Sequence, residues 1–367
     1  MPPLTIVRID TETLDLELSE PFGIAGGSTE RARIAVVRLE LEDGTVGLGE
    51  AAPLSAYNGE RLEHALTAIS GSRQAWLGAD ARPWRQRSLE LLELTRSSAS
   101  ARCALETALL DALARRGGGS LYEWFGGVRP ALLESDVTIP IMAPELARVA
   151  AARWAGAGFR KLKIKVGSGA DAERVMAAHA GAPGAELTLD ANAGLSVAAA
   201  KALLERLARR GVGVALFEQP VAADDWAGLS DLARSVRIAV DESVVTAADA
   251  LRACELLGPP HAINVKLMKS GIREALDIVA VARARGMSLM IGGLLESTLA
   301  MSCSACFAAG HGGFEFVDLD TPLFLVGSPL RGGYLQHGPR LDVTAIEHGH
   351  GVSLPLTKST SATADNA

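Results

Sequence analysis

From about residue 135 the chain repeats one pattern eight times: a short apolar run, then an amphipathic segment rich in Ala, Leu and Arg. The runs are DVTIPI, KLKIKV, AELTLD, GVALFE, RIAVDE, AINVKL, SLMIGG and FEFVDLD, and they end near residues 140, 165, 190, 218, 241, 266, 292 and 318. Successive ends are about 23 to 28 residues apart, the length of one strand-plus-helix unit. Eight even units predict a parallel (β/α) barrel. An open doubly wound sheet is the alternative, and it gives no reason for eight equal steps.

The second run, KLKIKVG, alternates Lys161, Lys163 and Lys165 with Leu162, Ile164 and Val166. Period-two alternation marks a strand with two unlike faces, and in isolation it describes an edge strand that shows lysine to water. In a barrel the outer face is covered by helices, so Leu162, Ile164 and Val166 turn outward and Lys163 and Lys165 turn into the mouth. The same parity aims Asp190, Asn192, Glu218, Asp241, Lys266, Asp318 and Asp320 inward at the ends of later strands. Buried unpaired charges are expensive. These groups are therefore either a structural ion-pair network or an active site, and active sites of this fold lie at that end.

Asp190, Glu218 and Asp241 come from three successive strands and offer oxygen ligands only. That donor set suits one hard divalent cation per subunit, Mg²⁺ ahead of Mn²⁺. Lys165 and Lys266 stand on the second and sixth strands, opposite each other in a closed barrel. A carboxylate substrate held on the cation meets one lysine on each face. Such an arrangement removes a proton alpha to the carboxylate and returns one from the other side. Lysine titrates near about 10.4, so the base has to be depressed; the cation and Lys163 both push that way. Lys163 is also placed to touch the substrate carboxylate.

The first ~130 residues have a different texture, with strand patterns in TIVRIDTETLDLEL and RIAVVRLELEDGTVGLGEA, an Asp43-Gly44 hairpin signal, and helical periodicity near 60–70 and 100–115. Gly117-Gly118-Gly119 stops the second helix. The net charge of −7 comes with dispersed basic residues, which argues against nucleic acid and anionic membrane as partners. Arg115-Arg116 and Arg209-Arg210 sit at expected helix ends. With no leader pattern and no run of 18 or more apolar residues, the expected location is cytoplasmic. Cys303 and Cys306 form C-x-x-C inside an Ala-rich helical pattern, where two small core residues are expected rather than a redox or metal pair. His348 and His350 in HGHG are expected on a mobile surface segment.

K-x-K at Lys163/Lys165, D-A-N at Asp190, E-Q-P at Glu218, D-E-S at Asp241 and N-x-K at Lys266 together resemble the muconate-lactonizing subgroup of the enolase superfamily. The resemblance spans nearly the whole chain. It implies an α/β fold, a modified TIM barrel of (β/α)7β type with an α+β capping domain. The expected division is a cap over 1–130, the barrel over 131–320, a segment over 321–356 that returns to the cap, and a disordered tail over 357–367. Loops at Pro21–Arg33 and Ala51–Glu60 become lids that set specificity, and Asn192 and Glu242 stand immediately behind the metal ligands.

D-L-D at Asp318 and Asp320 resembles the D-x-D of dipeptide epimerases, which implies that an aspartate meets the substrate's free alpha-ammonium; the alternative is that Asp318 pairs with a lysine of the site. Thr138, Leu294 and Leu295 resemble positions lining a dipeptide pocket. The implied reaction is Mg²⁺-dependent epimerisation of L,L to L,D dipeptides through an enediolate, with a small-molecule dipeptide as partner and a homo-oligomer left open. Members acting on Ala-Glu carry an arginine in the first lid where this chain has Gly26-Gly27, which disfavours Ala-Glu; Arg31 or Arg33 would have to substitute. N-acylamino acid racemase, o-succinylbenzoate synthase and muconate cycloisomerase share the scaffold, but their substrates lack a free ammonium. A non-catalytic, metal-dependent ligand-binding barrel needs the carboxylates without both lysines.

Overall fold

A computed structural model describes residues 4–129 and 132–355; the tail expected over 357–367 lies outside the described residues. The chain opens with a long antiparallel hairpin, β1 (Ile6–Ile24) and β2 (Gly27–Leu41), joined to β3 (Val46–Ala51). Asp43-Gly44 makes the second turn as its sequence predicts, with Gly44 at φ 82°. Helices Leu62–Trp76, Trp84–Leu94 and Ala99–Arg116 share a core with this sheet, built from residues such as Ile6, Leu39, Trp76 and Leu105.

After β4 (Leu132–Glu134) come the eight parallel strands that the spacing predicts, paired in chain order. They are β5 (Val137–Ile139), β6 (Lys161–Lys165), β7 (Glu186–Asp190), β8 (Leu216–Glu218), β9 (Ile238–Val240), β10 (Ala262–Val265), β11 (Ser288–Ile291) and β12 (Phe314–Val317). Helices follow the first seven, whereas β12 runs into a 3-10 turn, Thr321–Phe324, so the architecture is (β/α)7β with an N-terminal cap. The sheet curls until its ends meet. There the Asp136 amide donates to Val317 O at 2.8 Å and the Leu319 amide to Ser135 Oγ at 2.9 Å.

Parity holds throughout the barrel. Leu162, Ile164, Leu189, Phe217, Val240 and Val265 are fully buried under the helical shell, each such side chain contributing about 1.5–3 kcal/mol. Leu216, Ala239, Ala262, Met290 and Phe316 plug the interior with a separate apolar cluster. Pairing register then sets out the charged rows: Thr138 lies beside Lys163, and Lys165, Asp190 and Glu218 lie side by side on β6, β7 and β8. Neighbouring strands are about 4.8 Å apart, so row-mates are in contact reach.

Two buried glutamates dock the cap onto the barrel mouth. Glu50 at the end of β3 accepts the Ser297 amide at 2.8 Å, and the Ser297 hydroxyl, at the start of helix Thr298–His311. Glu106 accepts the amides of Ile272 and Arg273 at the start of helix Ile272–Ala284. Each carboxylate meets unsatisfied N–H groups and the positive end of a helix dipole. Burial nevertheless pushes both carboxyls upward in pKa.

The chain then returns to the first sheet, where β13 (Leu325–Val326) pairs with β1. His350 corrects the expectation of a surface segment. It is fully buried, Nε2 lies 3.0 Å from Leu48 O and 3.3 Å from Asp111, and Nδ1 accepts the Val352 amide at 3.1 Å. The reason is tertiary: Asp111 on helix Ala99–Arg116 supplies the partner. Cys303 and Cys306 are buried, free thiols in helix Thr298–His311, as expected. Among the described residues no helix is long and apolar enough to cross a membrane.

Candidate active site

The inward lysines find carboxylates at the strand ends. Lys163 Nζ lies 2.9 Å from Asp190, 2.8 Å from Glu218 and 2.7 Å from Asp318. Lys165 Nζ donates to Asp190 Oδ2 at 2.7 Å and Asn192 Oδ1 at 3.0 Å. Lys266 Nζ donates to Asp241 Oδ2 at 2.6 Å and stands 3.8 Å from Glu218. Lys165 and Lys266 come from β6 and the end of β10, four strands apart, and line one cavity of about 30 Å³ together with Thr138, Lys163, Asn192, Leu294, Asp318 and Asp320. Leu295 is buried beside Leu294 but is not part of that lining.

Non-glycine residues take left-handed backbone just past two of these strands, Asn192 at φ 41°, Ala193 at 62° and Gln219 at 31°. This is a strained conformation typical of functional loops. Here it is held in place: the Asn192 amide donates to Asp190 Oδ1 at 2.9 Å, while Gln219 Oε1 accepts the Asp241 amide at 2.9 Å. Asn192 Nδ2 also donates to Glu242 at 3.3 Å.

Charge crowding shapes the titration. Burial lowers Lys163, but Asp190, Asp318 and Glu218 outweigh it and hold the ammonium well above lysine's usual range. Lys266 is likewise raised, because Asp241 and Glu218 overcome its burial. For Lys266 this is opposite to the depressed base that the sequence led us to expect, and the cause is the carboxylates packed against it. Asp190 and Asp241 are held low against burial, the first chiefly by Lys163 and Lys165, the second by Lys266 and Lys269. Burial and nearby carboxylates push Glu218 to about 7, Glu242 to about 8 and Asp320 to about 7.

Asp318 pairs with Lys163, and Asp320 Oδ2 accepts the Thr138 amide at 2.5 Å. The pairing of Asp318 with a site lysine, one of the two sequence readings, is therefore present.

Three further residues complete the site beyond those singled out from the sequence. Lys269 donates to Asp241 Oδ1 at 2.6 Å, Asp241 O at 2.7 Å and Asn264 O at 2.8 Å, so all three of its protons are used. Its signal was the i, i+3 spacing from Lys266 on a helical turn. Asn264 donates to Glu218 Oε1 at 2.8 Å, and it is the inward residue before Lys266. Tyr57, from the second lid, places its hydroxyl 3.2 Å from Asp241 and its ring 5.0 Å from Lys266 Nζ.

Both lids reach the site. Phe22 and Ile24 of the first and Leu54 and Tyr57 of the second line the small cavity. A larger cavity of about 630 Å³ lies between the lids themselves. Gly26 occupies the tight turn between β1 and β2, and Arg31 is engaged at the surface with Asp15 at 2.7 Å. Arg33 is exposed.

The donor set fits a hard divalent cation. Glu218 Oε2 is buried and, although 2.8 Å from Lys163 Nζ, is out of line for a hydrogen bond, so a carboxylate oxygen in the all-oxygen cluster is left without a partner. Asp190, Glu218 and Asp241 are splayed around the lysine ammoniums. Among the described residues the trio whose oxygens lie within 4.8 Å of one another is instead Asp136, Asp318 and Asp320.

Comparison with known proteins agrees with this architecture. Residues 8–126 match the mandelate racemase/muconate lactonizing enzyme N-terminal domain, and residues 145–357 match the enolase C-terminal domain-like family. An aromatic dipeptide epimerase from Herpetosiphon aurantiacus is 42% identical over 96% of this chain and 99% of its own. A mandelate racemase/muconate lactonizing enzyme structure from Sorangium cellulosum superposes with TM-score 0.91 at 50% identity, covering 96% of this chain and 100% of that one. The Enterococcus faecalis dipeptide epimerase complexed with Mg and L-Leu-L-Tyr superposes at 0.90 with 31% identity, covering 95% and 100%. Both halves of the molecule, cap and barrel, thus lead to one conclusion: the chain belongs to the enolase superfamily, with the paired domains of the mandelate racemase/muconate lactonizing enzymes.

Proposed function

We propose that the protein is a Mg²⁺-dependent dipeptide epimerase that converts L,L to L,D dipeptides by moving the alpha proton of the C-terminal residue. The observation that carries this reading is the pair of buried amines, Lys165 and Lys266, reaching one cavity from strands four apart. Similarity to dipeptide epimerases over the full chain, one of them seen with Mg and a dipeptide, supports the substrate class.

Asp190, Glu218 and Asp241 would hold the cation, Mn²⁺ serving as a possible substitute. Bound there, it offsets their charge and stabilises the extra negative charge of a deprotonated carboxylate substrate. One lysine, as the neutral amine, takes the alpha proton, and the C–H electron pair moves into an enediolate. The opposite ammonium delivers its proton to the other face, so configuration inverts and the two lysines exchange protonation states. Lys163 stays charged beside the substrate carboxylate, Asp318 and Asp320 meet the alpha-ammonium, Thr138 and Leu294 line the pocket with Leu295 behind, and Asn192 and Glu242 support Lys165 and the ligands.

Phe22, Ile24, Leu54 and Leu294 give the pocket apolar walls, and Gly26 brings no arginine to it, so an apolar or aromatic C-terminal side chain is favoured over glutamate. In this division of labour the cap, 1–130 with 321–356, selects, and the barrel, 131–320, does the chemistry. Incubation with a dipeptide library in D₂O and Mg²⁺ tests the reading: deuterium should appear at the C-terminal alpha carbon of apolar dipeptides and cease on chelation. No incorporation into any dipeptide removes it.

A further inference from the structure

Asp136 has no part in the proton transfer set out above, yet it is an anomalous charge in the barrel. It lies two residues before Thr138 on the same inward parity, is only 5% exposed, and its Oδ1 is buried without a hydrogen-bond partner among the described residues. A buried carboxyl in that condition is destabilising. Burial, with Asp318 and Asp320 adding to it, drives its pKa well up. Packing gives no reason to keep it.

Its neighbours supply one. Asp136, Asp318 and Asp320 each present an oxygen within 4.8 Å of the other two. Three points so spaced share a centre no more than about 2.8 Å from each, the length of a charge-assisted N–H···O bond. Lys163 uses one oxygen of Asp318, and the Thr138 amide uses one of Asp320. A primary ammonium carries three N–H donors. Two aspartates answer two of them, and the unpartnered Oδ1 of Asp136 answers the third. A divalent cation fits the same spot less well, since the Lys163 ammonium already sits 2.7 Å from Asp318 and repels two charges more than one.

We propose that Asp136 is the third arm of a three-carboxylate cup that grips the substrate's free alpha-ammonium and makes the site selective for primary amines. This rests on the dipeptide reading above. An N-methyl dipeptide loses one donor and an N-acetyl dipeptide loses the charge, so both fit the cup poorly.

The test compares the full-length Mg²⁺-loaded protein with its Asp136→Asn and Asp136→Ala variants. Alanyl-phenylalanine, its N-methyl form and its N-acetyl form are each measured by calorimetric binding and by alpha-deuterium exchange. The wild type should prefer the free amine over the N-methyl form by roughly 10- to 100-fold, as loss of a hydrogen bond to a charged group implies. In both variants that preference should shrink to within about threefold, with the effect falling on KM more than on kcat. The unfolding temperature should hold or rise, since an unsatisfied buried carboxyl has been removed.

No amine preference in the wild type, or the same preference in the variants, overturns the cup. So does the loss of a second bound Mg²⁺ in Asp136→Ala, which would make the cluster a cation site. Absence of exchange in the wild type alongside an Asp136-dependent amine preference overturns the catalytic reading and leaves the cup standing.

Discussion

A Cβ built on Gly26 would lie 2.1 Å from the carbonyl oxygen of Ala56. The tips of the two lids are thus in backbone contact, and any side chain at 26 pushes them apart. Phe22, Ile24, Leu54 and Tyr57, which roof the cavity, ride on those lids. Gly26→Ala should therefore raise KM for the dipeptide about tenfold or more and leave thermal stability nearly unchanged, because the turn is exposed. Steady-state kinetics checks this; an unchanged KM would show that closure does not need the contact.

Lys165 and Lys266 should fail in mirror-image ways. Replacing either by Ala should lower epimerisation by about 10²–10⁴-fold. Each variant should still exchange the alpha hydrogen of one epimer, and the two variants should retain opposite epimers, as followed by proton NMR in D₂O. Exchange of both epimers by both variants, or intact turnover in both, would end the two-base assignment.

Tyr57 separates its ring from its hydroxyl. The ring stands over Lys266 and the hydroxyl reaches Asp241. Tyr57→Phe keeps the ring and should lose only a few-fold in kcat/KM, the worth of a ~1 kcal/mol hydrogen bond. Tyr57→Ala also opens the roof and should lose about thirtyfold, or ~2 kcal/mol for a desolvated cation–π contact. Equal losses in the two variants would assign the effect to the hydroxyl.

Glu50 joins the end of β3 to the start of a barrel helix. Glu50→Ala frees the buried Ser297 amide and should cost about 1–3 kcal/mol of stability, read as a lower urea midpoint. Glu50→Gln retains an acceptor and should cost less. Equal midpoints for all three proteins would show that the clasp does not hold the cap.

Acid should destabilise the fold partly through histidine. Burial, aided by Arg283, lowers His311 to about 4, against the faces of Phe125 and Phe307. Burial also lowers His350, although Asp111 opposes it. An unfolded histidine titrates near about 6.5, so between these values the unfolded chain binds more protons and stability falls as pH drops from about 6.5 toward 4. Above that window these histidines contribute no slope. His311→Gln should flatten the melting-temperature profile over the window, measured at constant ionic strength; a profile parallel to wild type would exclude His311 as a source.

Spacing and alternation are local properties of a chain, so they could be read without coordinates. Even steps announced eight strands. Parity told which side of each strand holds charge, because a helix-covered face tolerates only apolar groups, and it placed Lys163, Lys165, Asp190, Glu218, Lys266, Asp318 and Asp320 on the inner side. Asp136, two residues before Thr138 on β5, was not singled out, because nothing local marks an aspartate as lacking a partner. That status arises only where the first strand meets the eighth and Asp136 comes against Asp318. Lys269 joined Asp241 through a helical turn after a strand, Tyr57 arrived on a lid from the other domain, and His350 was buried by Asp111 on a distant helix. Even the protonation bias of Lys266 was decided by closure, since the Coulomb effect of a carboxylate depends on distance and dielectric, and the curled sheet sets both. Sequence determined which residues face the barrel mouth; tertiary structure alone decided which of them touch, because contact between remote strands depends on how the whole sheet closes.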